Sequence, residues 1–351
     1  MGGLHPRHIG ATPGACVGVE EQTLTDNGTT AQPITPADST DTDSSYDSDL
    51  ASSTNSLTTS ILAYRTIQGR TFHSDRTPAE YWYEFGPENA GVNLCPMHAE
   101  PVTDKLIGIW AIDFADAHPG VEVIGTDISP IQPGWVPPNL QFEMEDATQP
   151  WTFAAGSFDF VHIRYMFGSV ADWDALFAEA YRVLRPGGYI ETFEADARMY
   201  APDGTVLEGS PLDQWGKVFR EGGKKFGRTF MVVGEDLQRK GLEAAGFVDL
   251  VQQDFKVPIT AWAADKKNQE IGAYNHLSLE QDMEGLILYM FQQVMGWSTT
   301  EIHAYIAHLR RQLRDKSSYN IHVADRVAEI HGGPNERKLV RQWTCRTMLV
   351  L

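Results

Sequence analysis

Residues 106–146 read LIGIWAIDFADAHPGVEVIGTDISPIQPGWVPPNLQFEMED. Ile107, Trp110, Ala111 and Phe114 recur at the spacing of one helix face, with Asp113 and Asp116 opposite. His118-Pro119-Gly120 stops that helix. A β-branched run, Val121 to Thr126, follows and is closed by Asp127; a second strand, Leu140 to Met144, ends at Glu145 and Asp146. Helix, strand ending in acid, strand ending in acid is the pattern of a nucleoside-binding Rossmann-type half. A carboxylate after the first strand can accept from ribose hydroxyls, and one after the next can reach an adenine amino group.

Downstream the alternation continues. Ser157 to Arg164 reads as a strand and Asp172 to Leu184 as a helix with Leu176, Phe177, Ala180 and Val183 on one face. Leu184-Arg185-Pro186-Gly187-Gly188 is a helix stop and turn, and Tyr189 to Glu194 is the next strand. Repeated β-α-β units predict a parallel sheet with helices on both faces. Beyond Asp196 the pattern predicts helices over 212–228, 234–245, 280–297 and from Thr299 to about Asp315, and strands over 247–257. The apolar helix at 280–297 reads as core or as a helical lid over the sheet's carboxyl edge. Residues 321–351 show little period and read as an atypical C-terminal tail, either a docked helix or a frayed end.

Upstream, residues 1–60 are rich in Thr, Ser, Asp, Gly and Pro and carry few aromatics. Such a run cannot bury enough apolar surface to offset ordering entropy, so it reads as a disordered acidic tail. From Ser56 to Phe85 a short helix and an extended aromatic segment are expected to dock on the main domain, residues 61–320.

The formal charge of −19 argues against direct nucleic-acid binding, which needs a basic patch. Cys16, Cys95 and Cys345 are far apart and form no C-x-x-C, so no disulfide framework or metal site is expected, and a reducing compartment fits. The chain shows no signal pattern and no apolar run fit to span a bilayer; a cytoplasmic or nuclear location is expected.

The runs Gly108 to Asp116, Val123-Ile-Gly-Thr-Asp-Ile-Ser-Pro-Ile-Gln-Pro133 and Trp135 to Asn139 resemble the LaeA-like fungal methyltransferases. The likeness extends to Ser157–Arg164, Leu184–Gly188 and Ala245–Asp249, and upstream to Ser60–Tyr64 and Gly69–His73. It implies an α/β class I methyltransferase (Rossmann-like) fold: a doubly wound, mostly parallel sheet with a helical lid, its first strand lacking or replaced. It implies S-adenosyl-methionine as cofactor and a role in secondary metabolism, as a pathway enzyme on a small-molecule acceptor or as a non-catalytic regulator with a protein partner. Carried over, Gly108 belongs to the cofactor turn and Asp127 binds ribose. Ile128 packs on adenine, and Asp146, with Ala147 beside it, holds the adenine amino group. Arg164 and Tyr165 line the methionine end.

The sequence departs from the family at two places. The family's acid-x-G-x-G-x-G turn is represented by Val102 to Gly108, where only Gly108 remains; its strand is absent, with Val92 to Cys95 as a poor substitute. After Ser318 the last hairpin strand is also expected to be missing. A degenerate enzyme and a misplaced exon boundary both fit. An NAD enzyme lacks support, since no intact G-x-G-x-x-G is present. Methyl transfer from a sulfonium needs positioning first, and a base only where the acceptor must lose a proton. His162 and His276 are the candidate bases, His162 with a core role as the plainer reading.

Overall fold

The computed structural model describes residues 64–73, 109–130, 132–315, 317, 319–329 and 345–351. Every described residue falls in one compact unit, Asn55–Leu351. The expected acidic tail, Gly108 and Val92 to Cys95 all lie outside the described residues.

A two-stranded hairpin comes first, β1 (Arg65–Ile67) and β2 (Arg70–Phe72). Gln68 and Gly69 turn it with φ of 52° and 82°. Two successive left-handed residues make the tight turn that matches strand twist, and glycine is the residue that takes the second without strain. The helix expected before the aromatic segment falls largely on undescribed residues; at 65–72 the chain is this hairpin.

Helix α1 (Ile109–Ala117) is followed by β3 (Glu122–Asp127), β4 (Leu140–Met144), β5 (Phe158–Arg164), α2 (Trp173–Val183) and β6 (Leu184–Tyr200). Asn139 joins the first three: its side-chain amide donates to the carbonyls of Ala115, His118 and Val121 at 3.0, 3.2 and 2.8 Å. That supplies donors for carbonyls a helix end leaves open. The stop at 184–188 is a bulge at the start of a longer strand: Phe158 pairs with Leu184, and Phe160 already with Tyr189. Next come α3 (Pro211–Phe226), α4 (Leu237–Ala245), β7 (Val248–Pro258), α5 (Lys266–Gln281), α6 (Met283–Leu288), a π-helical turn (Tyr289–Val294) and α7 (Thr299–Leu313). The continuous helix expected over 280–297 is broken at Asp282, whose carboxylate caps α6 through the Gly285 N–H (3.0 Å).

The last two strands correct the expectation for residues 321–351. β8 (Asn320–Glu329) lies antiparallel between β6 and β7, so the hairpin strand expected to be missing is present. β9 (Thr347–Val350) lies parallel between β3 and β5. The sheet order is β4-β3-β9-β5-β6-β8-β7. The central slot is thus filled from residues 347–350.

The local chemistry of this insertion is specific. Asp159 Oδ2 accepts from the N–H groups of Arg346 and Thr347 at 2.9 and 3.0 Å, while Oδ1 accepts from Arg185 at 2.7 Å. Burial works against the Asp159 charge, but these donors outweigh it and hold the carboxyl below its usual range. Met348 and Leu349 are both 0% exposed, one facing the α1 layer and the other the opposite layer. A strand buried on both faces has no polar alternation, which is why TMLV carried no period.

Two apolar clusters sandwich the sheet. The smaller joins Ala111 and Ala115 of α1 to Val123, Leu140, Phe160 and Met348. The larger joins the opposite face, through Val161, Ile163, Ile190 and Leu349, to α2, α3, α4 and the helices from α6 to α7. Helices on both faces of a mostly parallel sheet make the doubly wound α/β architecture. Among the described residues no helix is long and apolar enough to cross a membrane.

Candidate active site

In an open parallel sheet the carboxyl ends of the strands form the natural ligand edge. Along this edge Asp146 follows β4, Asp127 ends β3, Leu351 follows β9, and Arg164 ends β5. Register holds them together. Asp127 pairs with Met144, and Gly125 with Val350. The Leu351 N–H donates to the His162 carbonyl at 2.9 Å.

Asp127 reaches its position because β3 is clamped between β4 and β9 and the chain then turns at Ile128–Pro130. The Ser129 N–H donates to Asp127 Oδ1 at 2.9 Å. Burial pushes the carboxyl up to about 7, against the stabilising N–H groups of Ser129 and Ile128. Tyr64, from the start of the hairpin, is close enough that Asp127 adds to the upward shift burial imposes on its hydroxyl.

Two acids close β4, and the structure separates their tasks. Glu145 is engaged by the loop, taking the Thr152 N–H at 3.0 Å and hydroxyl at 2.9 Å. Asp146 Oδ1 accepts from the Thr148 N–H and hydroxyl at 2.9 and 2.7 Å, but its Oδ2 is buried with no hydrogen-bond partner among the described residues. A buried acceptor left unmatched costs about 1–3 kcal/mol. Such an atom fits an incoming N–H donor. Ala147 is fixed beside it, its carbonyl accepting from the Trp151 indole at 3.1 Å. Ile128 is half-buried in the turn beyond Asp127.

At the other side of β9, Tyr165 has φ of 52°, unusual for a bulky residue. Its N–H is tied to the Phe193 carbonyl at 3.0 Å. The Arg164 guanidinium lies 5.2 Å from the Tyr165 ring centre and 5.4 Å from that of Phe193. The turn after it is held by Glu194, fully buried, whose two oxygens accept from the N–H groups of Met166 (2.9 Å) and Phe167 (3.1 Å). Burial pushes Glu194 up to about 8, opposed by those two N–H groups and by Arg164.

Residues 107–252 match the family described as a methyltransferase domain. The methyltransferase pytC of Aspergillus terreus is 30% identical over 277 residues, covering 72% of this chain and 84% of pytC. The secondary metabolism regulator LAE1 of Cochliobolus heterostrophus is 33% identical over 245 residues, covering 66% of this chain and 79% of LAE1. The secondary metabolism regulator laeA of Aspergillus niger is 32% identical over 232 residues, covering 65% of this chain and 61% of laeA.

The chain belongs to the LaeA-like class I S-adenosyl-methionine-dependent methyltransferases. In this LaeA-like methyltransferase Asp127 and Asp146 stand at adjoining strand ends, with Ile128 and Ala147 next to them. Arg164 and Tyr165 are placed at the other side of the central strand. Gly108 lies outside the described residues.

The two histidines do not join this edge. His162 sits within β5, stacked on Trp110 of α1 with ring centres 3.8 Å apart and planes 5° apart. Its Nδ1 lies 2.7 Å from Glu191 Oε2, but burial outweighs that favourable contact and drives its pKa down. It is a packing residue of the small cluster's face. His276 is on α5, which packs on β7 at the far end of the sheet, with Nε2 3.5 Å from Glu280.

Three residues that shape the site escaped the sequence reading. Glu194 repeats the signal used for Asp127 and Asp146, a strand run ending in acid. Ser129 and His73 stood inside the family-like runs without a task assigned to them. Only proximity reveals theirs: His73 Nδ1 lies 2.6 Å from Ser129 Oγ.

Proposed function

We propose that this chain binds S-adenosyl-methionine along the edge from Asp146 to Arg164 and transfers its methyl group to a small-molecule acceptor in secondary metabolism. One observation carries the cofactor assignment: the buried, unpartnered Oδ2 of Asp146 beside the Asp127 strand end. Asp127 would hold the ribose hydroxyls and Asp146 Oδ2 the adenine amino group, with Ile128 and Ala147 against the ring. Arg164 and Tyr165 would border the methionine end. The bound cofactor supplies an activated methyl; the protein's part is alignment and exclusion of water.

An acceptor site is supported by a cleft of about 360 Å³ at the ends of β6 and β7, lined by Asp196, Arg198, Tyr200, Asp254, Phe255 and Lys256. That volume suits a small molecule, and the mixed charges suit a polar one. The name of pytC favours an enzyme. The names of LAE1 and laeA, and the single glycine left in Val102–Gly108, favour a second reading as a regulator acting through a protein partner. The charge of −19 supports neither direct nucleic-acid contact nor attachment to an anionic membrane, and cytoplasm or nucleus is the proposed location.

Calorimetric titration with S-adenosyl-methionine tests the reading. Asp146→Asn is expected to weaken binding about tenfold, a lost charge-assisted hydrogen bond. Ribose hydroxyls donate to the ionised form of Asp127, so affinity is expected to rise as pH passes upward through about 7, and to lose that rise in Asp127→Asn. A folded wild type that shows no binding at millimolar ligand overturns the proposal. Binding without methyl release across a panel of small phenols and acids favours the regulator.

A further inference from the structure

The hairpin Tyr64–His73 touches two regions that the sheet keeps apart. At one end His73, 5% exposed, sets Nδ1 2.6 Å from the hydroxyl of Ser129, itself 1% exposed. The Ser129 N–H holds Asp127 Oδ1 at 2.9 Å, and the Ser129 carbonyl accepts from Gln132 at 3.1 Å. The hairpin's own closure fixes His73, because Arg65 Nε donates to the His73 carbonyl at 2.9 Å. Burial, with the Arg65 charge added, lowers His73 to about 4, so the imidazole is neutral at pH 7 and offers one donor and one acceptor.

At the other end Arg70 pairs with Asp282 at 2.9 Å, the residue that caps α6. Gln68 donates to Thr299 at the start of α7 at 2.9 Å. Phe72, 0% exposed, lies 5.9 Å from the ring of Tyr289, where the π-helical turn begins. A side chain at position 285 would collide with Asp282 and stand 3.0 Å from the Arg70 guanidinium, so glycine there is what lets the ion pair close on the helix.

Resting on the cofactor reading above, we propose that His73 is a positioning residue for cofactor binding: through Ser129 it holds the Asp127 carboxylate at its ribose-binding orientation, and the Arg70–Asp282 pair moors the hairpin that carries it. Ser129 links His73 and Asp127, meeting His73 through its hydroxyl and Asp127 through its N–H. Neither imidazole nor hydroxyl needs to touch the ligand. Their shared hydrogen bond removes the freedom of the Ile128–Pro130 turn, which otherwise costs entropy when the ribose is engaged.

The test uses the full chain and titrates S-adenosyl-methionine into wild type, His73→Leu, His73→Gln, Ser129→Ala and the His73→Leu/Ser129→Ala pair, with thermal melting of each. The expected result is an affinity loss of about tenfold in His73→Leu and in Ser129→Ala, no further loss in the double variant, and substantial recovery in His73→Gln. In turnover the loss is expected in KM for the cofactor, with kcat little changed. Ser129→Ala removes one oxygen only and decides the matter if His73→Leu does not fold. Wild-type affinity in folded Ser129→Ala, or losses that simply add in the double variant, overturns the inference. A wild type that binds no cofactor overturns the reading beneath it and the inference together.

Discussion

The two halves of the sheet are built differently. β5, β6, β8 and β7 back onto a large core shared with α2, α3, α4 and the helices from α6 to α7. β4 and β3 share a small cluster with one nine-residue helix, and β9 is divided, with Met348 in that cluster and Leu349 in the large one. Yet both acids assigned to the adenosine side stand on the small half. The site is therefore carried by the part of the molecule with the least apolar surface to hold it, and its geometry depends on polar ties: Asn139 to three carbonyls, Asp159 to β9, His73 to Ser129. Regions of low local stability are where binding is most strongly coupled to folding.

The comparison breaks most severely at Met348. It is fully buried where β9 meets α1. Met348→Ala is expected to cost about 2–5 kcal/mol, and Met348→Asp more, through an unpaired buried charge. In a urea titration the small half should melt first, and cofactor affinity should vanish while the α3 and α7 signals persist. A single unshifted transition in Met348→Asp would show the halves to be one cooperative unit.

A middle-sized effect sharpens the large half. Glu194 is raised in the folded state, from 4.5 to about 8. The native state then holds a proton that the unfolded chain has lost, so this group's contribution to stability declines as pH rises from about 4.5 to about 8. The slope it adds is at most about 1.4 kcal/mol per pH unit. Glu194→Gln is expected to flatten the dependence of the melting midpoint on pH over that window; an unchanged slope would refute the buried-acid account.

The smallest effect belongs to His276. It is half-buried at the β7 end, away from the acid-bearing strands. His276→Ala is expected to change stability by less than about 0.5 kcal/mol and leave kcat within twofold. A loss of a hundredfold in kcat would restore it as a base.

The acid-terminated strands were legible because alternation and a closing carboxylate coincide at Asp127 and Asp146. The fold class followed from them and from the β-α-β repeat. What escaped had physical reasons. Thr347–Val350 is too short and too uniformly buried to show a period. The break at Asp282 is hidden because apolar residues continue on both sides of it, and the cap that ends one helix also starts the next. The three-residue strands of the hairpin fall below any periodic signal, although Gln68-Gly69 marks their turn. Ser129 and His73 could not be paired from sequence, since their contact spans 56 positions of chain.

The central strand has a consequence for biosynthesis. Thr126 and Val350 meet across 224 positions of chain. On a ribosome adding roughly 5–20 residues each second, β3 and β5 wait on the order of ten seconds or more for the strand that joins them. Through that interval each presents an open row of backbone donors and acceptors, the template on which foreign strands assemble. Production of this protein should thus depend on chaperone capacity and slow synthesis more than its finished sheet would suggest.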